Sequence, residues 1–380
     1  MHEKVAAAAC GSYEKEELRR AMSEAIEAAG GLDWVKPGMR IGVKLNLCAA
    51  KKPETAAITH PAAAAVLTEM LVARGARVVL GDSPGGPYNA AYIGRLYEAT
   101  GVKLCKEAGG ELNEDYGAID AVFPEGVSIR EFKYVSWLDK CDAVINFCKL
   151  KSHGLMGITA AVKNLYGTVP GTVKSEYHYL HTDPLDFANM LVDLNEYTKA
   201  RLCLCDAVEI MEGNGPTMGT PRHLGLILAS TSPYELDRVG AALLSVDEKE
   251  IPFLTAAKQR GLLSETIALD PDFPESYQIR DFVRSGATAC WFIRSPEDKG
   301  LRKIVKQCLY VLFRSKPVPE DSCIACGKCA ENCPAKAIEI KNGKASIDRS
   351  LCVRCFCCQE FCPVGAMKVK RSFIARLLLK

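Results

Sequence analysis

Short apolar runs alternate with charged, helix-periodic segments over roughly the first three hundred residues. VAAAAC at 5–10 and MRIGVKLNLC at 39–48 predict buried strands, because they are apolar and are followed by polar or turn residues. Between them, EKEELRRAMSEAIEAAGG at 14–31 predicts an amphipathic helix that ends at glycines. Further strands are predicted at 76–82, 142–153, 200–208 and 223–230, and further helices at 59–75, 91–101 and 186–199.

This order of elements predicts an α/β fold, with a mainly parallel sheet covered by helices on both faces. In such sheets ligands bind beyond the carboxyl ends of the strands, so polar residues that follow strands are the first candidates for a site. For the helix at 59–75, Thr59 is the expected N-cap and Gly75 the expected end.

The character of the chain changes after residue 300. The segment 301–318 carries five basic residues and no acidic one, and Leu301, Ile304, Val305, Cys308 and Leu312 fall on one helical face. We expect a connecting helix that packs one domain on another, with membrane-surface contact as the weaker alternative. The predicted division is an α/β domain at 1–300, this helix at 301–318, a small α+β domain at 319–370 and an apolar, basic tail at 371–380.

Composition narrows the class of protein. A net charge of +2 over 380 residues gives no electrostatic reason to expect nucleic acid as a partner. No run of eighteen apolar residues is present, so no transmembrane segment is predicted. The 18 cysteines would suit a secreted disulfide protein, but the first residues do not form a signal peptide and eight of the cysteines fall in two compact groups. We therefore expect a reduced, cytoplasmic protein.

Two cysteine quartets of the same spacing dominate the small domain. CIACGKCAENCP at 323–334 and CVRCFCCQEFCP at 352–363 both follow the pattern C-x-x-C-x-x-C-x-x-x-C-P. Zinc sites use pairs of cysteines and have no need of four in each motif with a trailing proline, so iron–sulfur ligation is favoured. Between the quartets, AIEIKNGKASI predicts a hairpin with its turn at Asn342 and Gly343.

The segment 319–370 resembles the bacterial two-cluster ferredoxins over its whole length. In that family three closely spaced cysteines hold one 4Fe–4S cluster, and the fourth, before the proline, ligates the other cluster. The resemblance implies two 4Fe–4S clusters and one-electron transfer at low potential. It assigns one cluster to Cys323, Cys326, Cys329 and Cys362, and the second to Cys352, Cys355, Cys358 and Cys333. The extra thiol, Cys357, is expected to be a non-ligand.

Polar residues gather just after the predicted strands of the large domain. Lysines and loop amides in such places suit an anionic small molecule, and a histidine beside lysines is expected to have a lowered pKa. We predict that His153, Lys151 and Lys163 take part in catalysis, although a single lysine is more often a solvated surface charge. The predicted substrate-binding residues are Lys44, Asn46, Asp82, Ser83, Lys149, Asn164, Glu212 and Asn214.

Other motifs carry less weight. The chain has no phosphate-binding P-loop, and GNGPTMG at 213–219 has the wrong glycine spacing for a dinucleotide fingerprint and is interrupted by proline. The sequence therefore predicts no particular organic cofactor. Glu176, His178, His181 and Asp183 would form a metal site by count only, because no single element presents them together.

Several motifs of the large domain resemble the family called domain of unknown function 362. They are VKLNL with THP and GDSPGG, then INFCKLKSHGLMGITAAVKNLYGTVPG, and then DAVEIMEGNGPTMGTP. The resemblance covers about 36–261 and implies an α/β fold with a polar site built from these segments. It implies little about chemistry. A ferredoxin-type segment often follows this domain in the family, as it does here.

The fusion would hold two clusters beside the polar site at a high effective concentration. We expect an iron–sulfur oxidoreductase, suited to anaerobic conditions, that passes electrons to an anionic substrate or cofactor. A ferredoxin, flavodoxin or reductase is the expected redox partner. One alternative is a non-enzymatic electron carrier or adaptor that docks on a partner enzyme through 302–316 and 373–379. Another is the handling of iron–sulfur clusters or metal.

Iron content tests the interpretation of the quartets. Protein purified without oxygen is expected to hold about eight irons per chain, because each of two 4Fe–4S clusters contains four. Elemental analysis, with electron paramagnetic resonance of the reduced protein, measures this. Zinc in place of iron, or far fewer irons per chain, would contradict the assignment and the redox function with it.

Overall fold

The computed structural model describes residues 5–266, 277–285, 300–313 and 315–370. Within these ranges the larger part of the chain is an α/β unit built on one sheet, and 315–370 form a small cysteine-rich unit of short helices and two-stranded sheets. The predicted fold class is confirmed. The predicted domain boundaries at 300, 318 and 370 stay predictions.

The large sheet has eight strands, most of them parallel. Five neighbouring strands run parallel, whereas the last two strands at one edge pair in antiparallel fashion. The predicted strands are all present, and the apolar composition of these runs follows from burial of the sheet on both faces. In spatial order the strands are β1 (Ala6–Ala9), β10 (Thr220–Ser230), β9 (Leu202–Glu212), β7 (Ala143–His153), β2 (Arg40–Leu45), β3 (Arg77–Gly81) and β4 (Glu111–Leu112), with β8 (Gly157–Thr159) paired to β7.

Helices cover both faces of this sheet and create two hydrophobic cores. Along β9, Leu202 and Leu204 enter one core while Cys203 and Cys205 enter the other, as expected from the alternation of side chains in a strand. The helices of the large unit are α1 (Lys15–Ala28), α2 (Pro61–Val72), α3 (Ala90–Thr100), α4 (Leu104–Glu107), α5 (Ser136–Asp139), α6 (Ala161–Asn164), α7 (Val173–Leu180), α8 (Pro184–Thr198), α9 (Pro233–Leu243) and α10 (Pro252–Gln259). A hairpin of β5 (Ala118–Val122) and β6 (Glu131–Val135) forms a separate two-stranded sheet.

The predicted cap of α2 is wrong by one residue. His60 is the N-cap, and its Nδ1 accepts a hydrogen bond from the backbone N–H of Ala62. The hydroxyl of Thr59 instead donates to the carbonyl of Phe147 at 2.9 Å and accepts from the N–H of Asn46. Thr59 therefore links the residue after β2 to the neighbouring strand β7. Local sequence does not reveal this long-range role.

The small unit has two similar halves. Strands β11 (Lys316–Pro319) and β14 (Met367–Lys370) pair in one sheet, and β12 (Ile338–Lys341) and β13 (Lys344–Ile347) pair in the other. Asn342 and Gly343 both have positive φ, so the predicted hairpin turn is confirmed. Each quartet contains one short helix, α12 (Lys328–Glu331) in the first and α13 (Cys357–Glu360) in the second.

A helix precedes the small unit, as expected, but its apolar face is exposed. This helix, α11, spans Gly300–Phe313, and Leu301, Ile304, Val305 and Cys308 all lie at the surface. Packing of this face against another domain is therefore not found among the described residues. The side chain of Leu312 and the tail 371–380 lie outside the described residues. None of the helices in the described ranges combines the length and apolar character that a bilayer crossing requires.

Asp237 binds the first backbone N–H groups of α6. Its carboxylate is fully buried on α9 and accepts hydrogen bonds from the N–H groups of Ala161 at 2.6 Å and Val162 at 3.0 Å. Burial raises the pKa of Asp237 from 3.8 to about 7, and the two backbone donors oppose the shift. Because α6 carries Lys163 and Asn164, this carboxylate positions two predicted site residues.

The raised pKa predicts a specific pH dependence of stability. Between about pH 4 and pH 7 the folded state keeps the Asp237 proton that the unfolded state has lost, so stability falls as pH rises through this window. The Asp237→Asn variant lacks this loss. The thermal midpoint of the wild type, measured relative to that variant, should therefore drop by a few degrees from pH 5 to pH 8. Asp139→Asn, at an exposed position, is the control. A difference in thermal midpoint between wild type and Asp237→Asn that does not change with pH would contradict the prediction.

Candidate functional site

A cavity of about 100 Å³ lies at the carboxyl ends of three parallel strands, β2, β3 and β7. This is the edge of the sheet at which ligands of α/β proteins bind. Seven of the predicted site residues line it: Asn46, Asp82, Ser83, Lys151, His153, Lys163 and Asn164. The large unit adds Cys48, Thr159, Tyr166, Lys174 and His178.

A buried ion pair forms the floor of this cavity. Lys44 Nζ lies 2.6 Å from Asp82 Oδ1 and also donates to the carbonyl of Leu45 at 2.7 Å. Burial lowers the pKa of Lys44, and the charge of Asp82 opposes that shift. Gly167 packs directly on the pair, since a Cβ at this position would come within 2.4 Å of both charged groups. Lys44 thus supports the cavity wall and is not itself among the lining residues.

A β-bulge separates two lysines that alternate along β7. The register of β7 against β9 shifts between Lys149 and Lys151. Lys151 reaches the cavity and donates to the carbonyl of Ala57 at 2.8 Å and to Asn46 Oδ1 at 3.3 Å, with Cys48 Sγ at 3.5 Å. Lys149 instead forms a fully buried ion pair with Asp206 at 2.9 Å, outside the cavity.

His153 is held in one orientation by backbone groups. Its Nδ1 accepts hydrogen bonds from the N–H groups of Leu155 at 3.1 Å and Met156 at 3.2 Å. Burial, followed by the charge of Lys163, lowers the pKa of His153 well below its usual value. The neutral ring must therefore carry its proton on Nε2, which lies 3.5 Å from Glu360 Oε1.

Two further lysines enter the cavity from the segment after β8. Lys163 Nζ lies over the ring of Tyr166 at 4.4 Å and has no hydrogen-bond acceptor among the described residues. Burial lowers its pKa, and Glu360 opposes the shift. Lys174 donates to the carbonyl of Val169 and to Ser83 Oγ, and burial lowers its pKa well below the usual value. An anion in the cavity would stabilise both ammonium groups.

The other wall of the cavity belongs to the second cysteine quartet. Cys357, Glu360 and Phe361, on and just after α13, line the cavity opposite the lysines. Burial raises the pKa of Glu360, and the charges of Lys163 and Lys151 oppose the shift. Phe361 packs so closely on Gly85 that a Cβ there would lie 2.6 Å from the tip of the ring.

The second quartet packs on the loop 213–219, the segment whose glycine spacing does not fit a dinucleotide fingerprint. Gln359 Nε2 donates to Asn214 Oδ1 and to the carbonyl of Gly215. Met218 packs against Gly365, where a Cβ would lie 2.5 Å from the methionine methyl group. Asn214 therefore lies in the contact between the two units and does not line the cavity. Glu212 lies outside it as well and pairs with Arg222 at 3.2 Å.

The cysteines of the first predicted cluster are gathered as the ferredoxin pattern requires. All four of its assigned ligands line one small apolar cavity of the cysteine-rich unit. The surrounding walls come from Ile340 and Ala345 of the hairpin and from Met367 of β14. The residues present therefore fit a 4Fe–4S cluster at this position. The four cysteines are Cys323, Cys326, Cys329 and Cys362.

The second set repeats one backbone contact of the first. After burial, the charges of Cys355 and Cys352 raise the pKa of Cys358 most, and Cys329 and Cys333 follow. Backbone N–H groups donate to the last cysteine of each quartet in the same way: Ala337 to Cys333 at 3.3 Å and Ala366 to Cys362 at 3.1 Å. These donors suit thiolate ligands, because hydrogen bonds to the sulfurs stabilise their charge.

Cys357 lies in two environments at once. Its thiol is buried, lines the cavity and shares a hydrogen bond with the predicted ligand Cys355, which raises the pKa of Cys357 well above its usual value. Its expected exclusion from cluster ligation stays a prediction.

The residues of the candidate metal site are not brought together. His178 lines the cavity, whereas Asp183 caps α8 and His181 hydrogen-bonds with Asp186. Among the described residues no three His, Cys, Asp or Glu side chains could hold a single metal ion.

Sequence reasoning missed the wall that the second quartet provides. A comparison of the two quartets carries the signal: Lys328 and Asn332 of the first stand where Cys357 and Phe361 stand in the second. The first pair suits a solvated surface, whereas a buried thiol and a phenyl ring suit an interface. Lys174 has no comparable signal, because it lies outside the strand-end motifs.

The fold and the paired quartets define an iron–sulfur protein in which an α/β unit is joined to a ferredoxin-type electron-transfer domain. The chain belongs to the family named domain of unknown function 362, whose profile matches residues 41–242. A 4Fe–4S dicluster domain matches residues 322–366. The fused architecture predicted from the motifs is confirmed, and the dicluster domain supports 4Fe–4S binding and an electron-transfer role.

Similar proteins are known from sequence and from solved structures. A thylakoid-associated protein of Synechocystis sp. is 30% identical over 321 residues, which make up 81% of this chain and 94% of that protein. The lactate racemase apoprotein of Thermoanaerobacterium thermosaccharolyticum has 9% identity and a TM-score of 0.40 over 62% of this chain and 55% of its own. A Thermotoga maritima protein has 14% identity and a TM-score of 0.36, over 66% and 59% respectively. The chain thus spans less than two thirds of either solved chain.

The packing of Phe361 on Gly85 predicts that a side chain at position 85 will lift the second quartet from the cavity. In Gly85→Val the new atoms overlap the ring, so amide hydrogen exchange around α13 should become about tenfold faster or more. Exchange measured by mass spectrometry on anaerobic, cluster-loaded protein tests this. Gly94→Val in α3 is the matched control, because a Cβ at Gly94 meets nothing within 4 Å. Equal exchange in the two variants would contradict the contact.

Proposed function

We propose that this protein is an iron–sulfur oxidoreductase that reduces a small anionic substrate in the cavity between its two units. The observation that carries the proposal is the composition of the cavity wall. One side presents Lys151, Lys163 and Lys174, and the other presents Cys357 and Glu360 from the helix that also contains the predicted ligand Cys358. A substrate bound there would touch both the cationic site and the electron-transfer domain.

The charge and size of the cavity support an anion of few atoms. Three lysines, Lys151, Lys163 and Lys174, line it against two carboxyl groups, Asp82 and Glu360, and Asp82 is already paired with Lys44 behind the wall, so lysines are in excess. Lys163 in particular offers an ammonium group without an acceptor among the described residues. The volume admits roughly seven to ten water-sized groups. That suits a small carboxylate or oxyanion.

The clusters would supply one electron at a time, so a two-electron reduction would require two successive transfers. Cys352, Cys355, Cys358 and Cys333 would hold the cluster nearer the cavity, since Cys357 between them lines it. The outer set includes the exposed Cys326, with exposed Ile324 and Val364 around it. This surface suits entry of electrons from the expected redox partner, a ferredoxin, flavodoxin or reductase.

Glu360 would donate the proton that accompanies reduction, and His153 would orient Glu360. Glu360 lines the cavity, and burial raises its pKa, which favours the protonated form of this carboxyl group. His153 has its Nδ1 occupied by backbone donors, so it serves to orient Glu360 through Nε2–H and is poorly placed to accept a second proton. We therefore assign proton donation to Glu360, and the orientation of the substrate to Asn46 and Asn164.

Reoxidation of the reduced protein tests this function. Protein reduced without oxygen is mixed with a panel of small carboxylates, nitrite, sulfite and phosphate, and the visible absorbance of the clusters is followed in time. At least one reducible anion is expected to speed reoxidation. Lys163→Gln should slow that reaction about tenfold or more, because a charged hydrogen bond in a buried site contributes about 1.5–3 kcal/mol.

Lys133→Gln is the control, since Lys133 is exposed on β6 and paired with Asp120. Equal rates for wild type and Lys163→Gln with a reactive anion would remove the cavity from the mechanism. Reoxidation only by added ferredoxin or flavodoxin, and by no small molecule, would overturn the enzyme and leave an electron carrier.

A further inference from the structure

The exposed face of α11 is unusual for a helix of this composition. Leu301 is 76% exposed, Ile304 61%, Val305 50% and Leu309 37%. Positions 301, 304, 305 and 308 are spaced by three and four residues, and 309 follows beside them, so these side chains form one continuous stripe along the helix. A stripe of large aliphatic groups in water is unfavourable and marks a surface that is covered in use.

The charges of the same segment indicate what covers it. Between 301 and 318 the sequence has five basic residues and no acidic one. Position 306, at 100° per residue, falls to one side of the apolar stripe, so Lys306 flanks it, and Arg302 and Lys303 belong to the same helical sequence. An aliphatic face flanked by cations matches the boundary of an anionic bilayer, where acyl chains lie below phosphate groups.

The sequence after the small unit contains a second basic, apolar segment. Lys316, which closely follows α11, pairs with Lys370 in the antiparallel sheet of β11 and β14. In the sequence, β14 is followed by RSFIARLLLK at 371–380. They contain three basic residues, no acidic one and five large aliphatic or aromatic ones.

We propose that α11 binds the surface of an anionic phospholipid membrane, with its aliphatic stripe among the acyl chains and its basic residues at the headgroups. The helix has 14 residues, or about 21 Å, which is too short to span a bilayer and long enough to lie along its surface. This attachment is independent of the reaction in the cavity. It would place the ferredoxin-type unit, which directly follows the helix, close to the membrane plane.

Vesicle sedimentation tests the proposal. Full-length, cluster-loaded protein is mixed with vesicles of phosphatidylcholine and phosphatidylglycerol, or of phosphatidylcholine alone, and the bound fraction is measured by pelleting. Wild type should bind the anionic vesicles more tightly than the neutral ones, and added salt should weaken that binding. The double variant Ile304→Glu with Val305→Glu should bind about tenfold more weakly or worse, because it places two charges in the buried stripe.

The matched control is Val122→Glu with Val127→Glu. These two residues are 62% and 64% exposed on the large unit, so the control makes the same change in charge at equally exposed sites. Iron content and circular dichroism should be unchanged in both double variants. Equal vesicle binding by the α11 variant and the control, or no binding by wild type, would overturn the proposal. So would a lipid-free dimer of wild type, detected by ultracentrifugation, that the α11 variant alone abolishes.

Discussion

The burial of several lysines at one sheet edge is the costly constraint on which this structure depends. Removing an ammonium group from water costs on the order of several kcal/mol unless partners replace the lost hydration. Lys44 is compensated by Asp82 and the carbonyl of Leu45, and Lys151 by the carbonyl of Ala57. Lys163 has two aromatic faces and the charge of Glu360 near it, but no hydrogen-bond acceptor among the described residues. The site therefore retains uncompensated positive charge for a ligand.

The two halves of the cysteine-rich unit have diverged in what their short helices face. Gly327 begins α12 in the left-handed region, and Phe356, at the same place before α13, adopts that conformation despite its bulky side chain. The strain is tolerated where the second half is packed against the large unit, with Phe361 on Gly85 and Gln359 on Asn214. One half is thus built for solvent and the other for an interface.

Sequence predicted most of the fold and about half of the site, for identifiable reasons. The apolar runs that became β2, β3, β7 and β9 report burial directly, so the strand ends and their polar residues were located correctly. Lys149 was predicted because it lies near the end of a predicted strand, but β7 continues to His153 and Lys149 pairs with Asp206 outside the cavity. The wall from α13 could not be predicted, since its hydrogen bonds with the loop 213–219 join residues 144 and 145 positions apart, and local pattern carries no information about such docking.

One short helix, α13, carries both a predicted metal-binding thiolate and part of the ligand cavity. Insertion of iron and sulfide into the second quartet would order the polypeptide around Cys355 and Cys358, because metal binding of this kind is coupled to folding. The same ordering brings Glu360 and Phe361 over the lysines. Maturation of the cofactor and completion of the ligand pocket then become a single event. An immature chain would lack the wall that α13 adds to the cavity.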